Sequence, residues 1–436
     1  MALSNPRLRA RIAHGTPLIV HSHLRWDFVW QRPQHIVTRL AADAPVFFLE
    51  EPIFLDDIGE GGIEVTQPSP NVYRAVPRLP GSFRSDYDAA IAEVRSLALA
   101  TLGRGELASR FEAPVQWFYT PMPAPAMLGA FHEVGVVYDC MDELSKFRFA
   151  PPDLVRREHL LMEAADIVFT GGRRLWEAKA KHHRNVHFFG CGVDNEHFER
   201  ARDARTAYPD DMAWAREVEG PIAGYYGVID ERLDYDLIAQ LAASDPALHV
   251  VMVGPTAKVD PAALPQASNL HWMGQRSYGE LPNYVRAFNV CLMPFALNEA
   301  TEYINPTKTL EYMAAGRPIV STAVPDVVRN FTPVVRVARD AGDFVYGVML
   351  DARHPNAGRI ADGINMARAA SWDATVRSMR DLMLDAVAAH EARATQAERA
   401  LERTLERQHD RQHDRQHDRA PERTKGLASA PTRAAV

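Results

Sequence analysis

The chain has 436 residues, a formal net charge of −7, 47% hydrophobic and 24% charged residues. That length favours two domains over a single core, the composition is that of a soluble globular protein, and the negative balance argues against bulk nucleic-acid binding. No apolar run reaches the ~18–20 residues that span a bilayer, and the stretch at Pro17 to Val20 is too short for a signal-peptide core. Cys140, Cys191 and Cys291 are widely spaced in apolar runs, which reads as reduced core thiols rather than a disulfide framework or zinc site. A cytoplasmic protein is expected, with peripheral association at the inner membrane face left open.

Short apolar runs alternate with amphipathic stretches from the start. Strands are predicted at Pro17–His21, Val46–Leu49, Val115–Tyr119, Val134–Asp139, Ile167–Thr170 and Val186–Phe189, and helices at Arg32–Ala42, Asp86–Leu102, Pro152–Ala165 and Arg173–His183. Continuous β-branched runs suit strands buried on both faces of a parallel sheet, and the alternation implies right-handed βαβ units. A charged, aperiodic stretch from Glu196 to Glu219 marks a junction. The alternation restarts with strands at Ile222–Gly227, Val250–Gly254, Leu270–Met273, Val290–Pro294 and Pro318–Ser321, and helices at Asp234–Ala243, Tyr278–Phe288, Pro306–Ala315 and Asp340–Leu350. The expected architecture is α/β, with two doubly wound Rossmann-like domains (1–200 and 201–370) facing across a cleft. A helix (371–406) and a low-complexity tail (407–436) follow. In the tail Arg-Gln-His-Asp repeats, spacing His409, His413 and His417 at helical intervals; a solvated extension or disordered tail is favoured over a metal-binding tract.

Asn305 to Pro318 is the most legible segment. Asn305 is a suitable N-cap, Pro306 a suitable first helical residue, and Gly316 a left-handed stop before Pro318. Such a helix start, with Thr307 in its first turn, offers unpaired N–H groups to a diphosphate. Lys308 adds a full charge, and Glu311 lies one turn further, where a carboxylate could accept ribose hydroxyls. An ordinary capped helix with solvated Lys308 and Glu311 fits the residues equally well.

Tyr278-Gly279-Glu280-Leu281-Pro282-Asn283-Tyr284, Leu292-Met293-Pro294-Phe295, Pro306 to Gly316 and Pro318 to Thr322 resemble the donor half of family-4-like (group 1) retaining glycosyltransferases of the GT-B fold, notably the bacterial cell-surface polysaccharide enzymes of the teichuronic-acid type. Gly192 to Phe198 matches the segment entering the inter-domain junction, and Trp26 to His35 the opening of the N-terminal domain. The resemblance spans roughly Ile19 to Trp372. It implies a nucleotide-sugar donor, retention at the anomeric carbon and no bound metal or other cofactor. Two positions depart from the pattern. The first of the family's two glutamates falls at Tyr303, with Glu299 and Glu302 nearby, while Glu311 matches the second. An arginine usual after the first donor-domain glycine is replaced, since Val228 follows Gly227, and Arg232 alone sits near the usual lysine. Diphosphate neutralisation is then expected from Arg232, Lys308 and backbone N–H groups.

After the first strand, His23, Trp26, Asp27, Trp30 and Arg32 form an acceptor-side candidate set, against the alternative of aromatic packing. Asp139, Asp142 and Glu143 follow another strand; metal binding, a base role or contact with an acceptor hydroxyl are open, beside helix capping. Gly171-Gly172-Arg173-Arg174 is a weaker candidate anion turn. No nucleophile elbow, P-loop or Rossmann Gly-x-Gly-x-x-Gly is present.

The expected function is a hexosyltransferase-like glycosyltransferase moving a sugar from a nucleotide-sugar donor to a saccharide or lipid-linked acceptor. Asp139, Asp142, Arg232 and Lys308 are its catalytic candidates, and Gly227, Arg232, Asn305, Thr307, Lys308 and Glu311 its donor contacts. The alternatives are an epimerase or phosphorylase of the same fold, or a non-catalytic nucleotide-sugar-binding scaffold.

Overall fold

The computed structural model describes residues 15–417. In the first half, β1 (Leu18–Ser22), β2 (Val46–Glu50), β3 (Ile53–Leu55), β4 (Gly62–Ser69), β5 (Val72–Pro80), β6 (Val115–Phe118), β7 (Gly135–Cys140), β8 (Ile167–Thr170) and β9 (Val186–Phe188) form a nine-stranded sheet. Its order is β3-β5-β2-β1-β6-β7-β8-β9, with β4 on β5; only the β4–β5 pair is antiparallel. In the second half, β10 (Ile222–Tyr226), β11 (His249–Val253), β12 (Leu270–Gly274), β13 (Val290–Met293), β14 (Ile319–Ser321) and β15 (Arg336–Val337) form a parallel sheet ordered β12-β11-β10-β13-β14-β15. The central strands β1, β2, β6, β7, β8, β10 and β13 are buried at every residue. That is the consequence of apolar runs covered by helices on both faces.

Strand order switches sides at β1 in the first sheet and at β10 in the second, while the strands stay parallel. Each sheet therefore has a crevice at the carboxyl ends of its central strands, where doubly wound folds bind ligands. Four of the helices are started by side chains. Asp86 accepts from Ala89 N–H, Asp234 from Leu237 N–H, Asp340 from Asp343 N–H and Asn356 from Arg359 N–H, each worth about 1 kcal/mol.

Several elements differ from the sequence expectation. β3, β4, β5 and β15 were not expected, and the helices Pro325–Phe331 and Ala357–Ala369 add to the second half. The predicted helix at Pro306 begins at Lys308, with Thr307 rather than Asn305 at the N-cap position, and ends at Ala314 before Gly316 (φ 66°). The last helix runs Trp372–His417, past the expected end near 406. The side chains of His409, His413 and His417, and residues 418–436, lie outside the described residues.

That last helix crosses back to the first half. Trp372, Val376, Met379, Met383 and Val387 join one core with Leu18, Val20, Ile36, Val37 and Trp117 on one face of the first sheet, and a second core lies on its other face. The two chain crossings run side by side: Val193 N–H donates to Ala370 O at 2.7 Å, and a Cβ on Gly192 would lie 2.7 Å from the Trp372 ring. No helix among the described residues is long and apolar enough to cross a membrane.

Candidate active site

The carboxyl ends of the two sheets face each other across a cleft of about 1170 Å³, open to solvent. Its floor in the second half is made of glycine turns. Gly227, after β10, has φ 141°, and a Cβ there would come within 3.0 Å of Lys308 Cε and 2.8 Å of Tyr225 Oη. Gly254, after β11, has φ 149°, and its Cβ would come within 1.9 Å of Gly227 O. These backbones approach each other and Lys308 as closely as they do only because neither residue has a side chain.

Lys308, Thr307 and Asn305 line the same wall. The Lys308 ammonium sits 5.3 Å from the centre of the Tyr225 ring and 5.4 Å from that of Phe295. Among the described residues it has no carboxylate within ion-pair distance. Burial, then the Arg232 charge, push its pKa down to about 8. An unpaired ammonium in such a place is an anion site. Arg232 lines the cleft beside it but is already bidentate with Asp230, at 3.0 and 2.6 Å, and lies over Phe147 of the opposite half. Glu311, one turn beyond Lys308, takes the Tyr226 hydroxyl on Oε2 at 2.5 Å, and burial pushes its pKa up to about 7. Asn305 donates from Nδ2 to Gly171 O at 3.1 Å across the cleft.

The first half contributes fewer of the expected groups. Asp142 is on the cleft wall, its pKa raised by burial against the opposing pull of Arg232. Asp139 is not: it is fully buried and held by Arg32, Nη2 to Oδ1 at 2.8 Å and Nε to both oxygens at 3.1 Å. Glu143 is paired with Lys179 at 2.8 Å. Of the acceptor-side set, Trp30 and Arg32 reach the cleft, whereas His23, Trp26 and Asp27 do not. The cause is Glu50, a buried carboxylate at the end of β2. It accepts Trp26 N–H at 2.9 Å, Arg25 at 3.0 Å and Arg74 at 2.7 Å, drawing the loop back over the sheet. Trp26 is thereby packed edge-on to Phe48, and Asp27 is paired with Arg74. His23 is half-buried, and desolvation, then the Lys258 charge, lower its pKa to about 4.

Other expectations shift as well. The Gly171–Arg174 turn does hold an anion, but it is the protein's own Asp326, whose Oδ2 accepts Arg173 N–H at 2.7 Å. Glu299 pairs with Lys146 at 3.1 Å and Glu302 with Arg174, while Tyr303 packs against the core of the first half. None of these three lines the cleft. Tyr226, Gly254, Arg276 and Tyr278 do, and sequence reasoning passed over them. Tyr278 did carry a signal, as the first residue of the donor-half motif Tyr278 to Tyr284, and Tyr226 only its place near the end of the predicted strand Ile222–Gly227. Trp30 stacks on Tyr278 across the halves, with centroids 5.8 Å apart.

Two doubly wound halves, a cleft between their strand ends and a final helix returned to the first half define the GT-B architecture of glycosyltransferases. Residues 233–349, within the second half, match the family model for glycosyl transferases group 1. The chain is 26% identical over 237 residues to a protein described as the teichuronic acid biosynthesis glycosyltransferase TuaH of Bacillus subtilis (strain 168), covering 50% of this chain and 58% of that one. It thus spans somewhat over half the length of this relative. Among solved structures, sucrose-phosphate synthase from Thermosynechococcus elongatus superposes with a TM-score of 0.64 at 16% identity, over 86% of this chain and 100% of that one. An α,α-trehalose-phosphate synthase (UDP-forming) from Burkholderia xenovorans, in complex with glucose-6-phosphate, superposes with a TM-score of 0.62 at 13% identity, over 84% and 100%.

Proposed function

We propose that this chain is a glycosyltransferase. It moves a hexosyl group from a nucleoside-diphosphate sugar to a saccharide or lipid-linked acceptor in cell-surface polysaccharide synthesis, with retention at the anomeric carbon. The observation that carries this reading is the Lys308 ammonium on the cleft wall, without a carboxylate partner among the described residues, beside the Gly227 turn and one turn before Glu311. In the reaction, the bond from the anomeric carbon to the β-phosphate oxygen breaks and its electron pair stays on phosphate. An acceptor hydroxyl oxygen forms the new bond to that carbon and gives up its proton to the departing diphosphate oxygen.

Charge develops on the leaving diphosphate, and Lys308 is the group best placed to meet it. Arg232 adds less, because Asp230 already neutralises it. Glu311 takes the ribose, and Asp142 faces the sugar from the opposite wall. The contacts that bridge the halves, Trp30 on Tyr278 and Asn305 on Gly171, limit water entry and so hydrolysis of the donor. The likeness to TuaH supports the polysaccharide context, and the resemblance to group 1 enzymes supports retention.

The test is calorimetric titration of UDP, GDP, ADP and dTDP, and their common sugars, into wild type, Lys308→Ala and Glu311→Ala. Micromolar binding of one nucleotide, weakened in both variants, supports the reading. A folded wild type that binds none of them overturns it.

A further inference from the structure

Glu311 makes one side-chain hydrogen bond among the described residues, and it is with Tyr226. Tyr226 closes β10 and is 4% exposed. Its ring lies parallel to Phe198 at 6.0 Å and edge-on to Tyr312 at 5.0 Å. Its backbone N–H is fixed as well, donating to Tyr312 Oη at 3.0 Å. The hydroxyl therefore cannot swing away from Glu311 without breaking an aromatic cluster. Both residues line the cleft.

A carboxylate on a helix can turn about its last torsion, and a buried one with a single fixed donor on one oxygen cannot. We infer that Tyr226 is a positioning residue for the donor nucleotide: by holding Oε2 of Glu311, it leaves Oε1 as the oxygen that accepts a ribose hydroxyl. This rests on the reading of the cleft as a nucleotide-sugar site. A phenol donor also favours the charged carboxylate against its burial. The other groups that act on Glu311 are Lys308 and Tyr312 on its own helix, Asp194 and Cys191 on the crossing segment, and Tyr278 beyond. Lys308 supports the charge and Asp194 opposes it. Removing the phenol hydroxyl leaves a carboxyl that is both less fixed and more easily protonated.

The experiment is titration of UDP-glucose, GDP-mannose, ADP-glucose and dTDP-glucose, whose diphosphates carry no proton that titrates near neutrality. It uses wild type, Tyr226→Phe, Glu311→Gln and the double variant at pH 7 and pH 9, with Tm as the check on folding. Tyr226→Phe keeps the ring contacts and is expected to weaken binding about fivefold at pH 7, and less at pH 9, where Glu311 is ionised in either protein. In the Glu311→Gln background the same change is expected to add nothing further, which a packing role would not produce. Wild-type affinity in Tyr226→Phe, or equal losses with and without Glu311, overturns the inference and leaves the donor site standing. A wild type that binds no member of the panel overturns the donor-site reading, and this inference with it.

Discussion

Asp326 of the second half accepts the backbone N–H of Arg173 in the first, at 2.7 Å, so a helix in one half is capped by a carboxylate from the other. Asp326 is 0% exposed, and a Cβ on Gly172 would lie 2.9 Å from its Oδ2. The Arg174–Glu302 and Arg329–Glu177 pairs also join the halves nearby, partly exposed, where such pairs contribute little. Asp326→Ala is expected to destabilise the chain by about 1 kcal/mol, as loss of a cap does, whereas Asp326→Asn keeps an acceptor and loses less. Burial raises the Asp326 pKa. A raised folded pKa gives stability that is present at low pH and lost as pH rises through that pKa. Mild acid should therefore favour the wild type relative to Asp326→Asn in thermal melts, and identical pH profiles would refute this.

The parallel strands were legible because runs such as Val46–Glu50 and Val290–Met293 are buried on both faces and need no context to be read. The β4–β5 pair was not. Pro68, Pro77 and Pro80 interrupt it, and β4 has no buried residue and lies at the sheet edge, where proline is tolerated. The second-half wall of the cleft was legible for a related reason: Asn305, Thr307, Lys308 and Glu311 are neighbours in sequence, so a short helix brings them together. The acceptor-side set depended on Glu50, Arg25 and Arg74, which meet only in the folded chain. No local pattern announces a buried carboxylate that pulls a loop away from a cleft.

Lys308 carries a charge that the fold does not stabilise. Its pKa, lowered to about 8 by burial, means that its contribution to stability is present at high pH and lost as pH falls through 8. Lys308→Met is expected to raise Tm by about 1–3 °C near neutrality while weakening nucleotide-diphosphate binding by at least about tenfold. In wild type, affinity should fall as pH rises above 8, with proton uptake on binding, measured calorimetrically in buffers of different ionisation enthalpy. Unchanged affinity in the variant would remove Lys308 from the site.

Gly227→Ala puts a methyl group 3.0 Å from Lys308 Cε at a φ of 141°. The backbone strain is expected to cost about 1–3 kcal/mol, and displacement of Lys308 should lower nucleotide affinity by more than the change in Tm would suggest. Gly342→Ala provides the control, because only Asp340 Oδ1, at 3.4 Å, lies near its Cβ. If the two variants bind nucleotide alike, the glycine turn is not part of the donor site.

Asp139 and Asp142 lie three residues apart and answer differently to the same substitution. Asp139 receives a bidentate arginine in a site with no solvent access. Asp139→Ala leaves Arg32 buried and unpaired, which is expected to cost about 3–5 kcal/mol and to appear as a loss of Tm and soluble yield. Asp142 has no such partner among the described residues and stands on the cleft wall with a pKa raised by burial. Its charged form is therefore a cost to the folded state, and Asp142→Asn should leave Tm unchanged or slightly higher. The proposed reaction places Asp142 beside the transferred sugar, so this variant should lower kcat about a hundredfold while nucleotide-diphosphate affinity stays within a factor of about two. Thermal melts and nucleotide titration on the two variants separate the roles without knowledge of the acceptor. Equal loss of stability in both would assign Asp142 to the architecture, and the sugar-facing wall would then have to be rebuilt around Trp30 and Arg32.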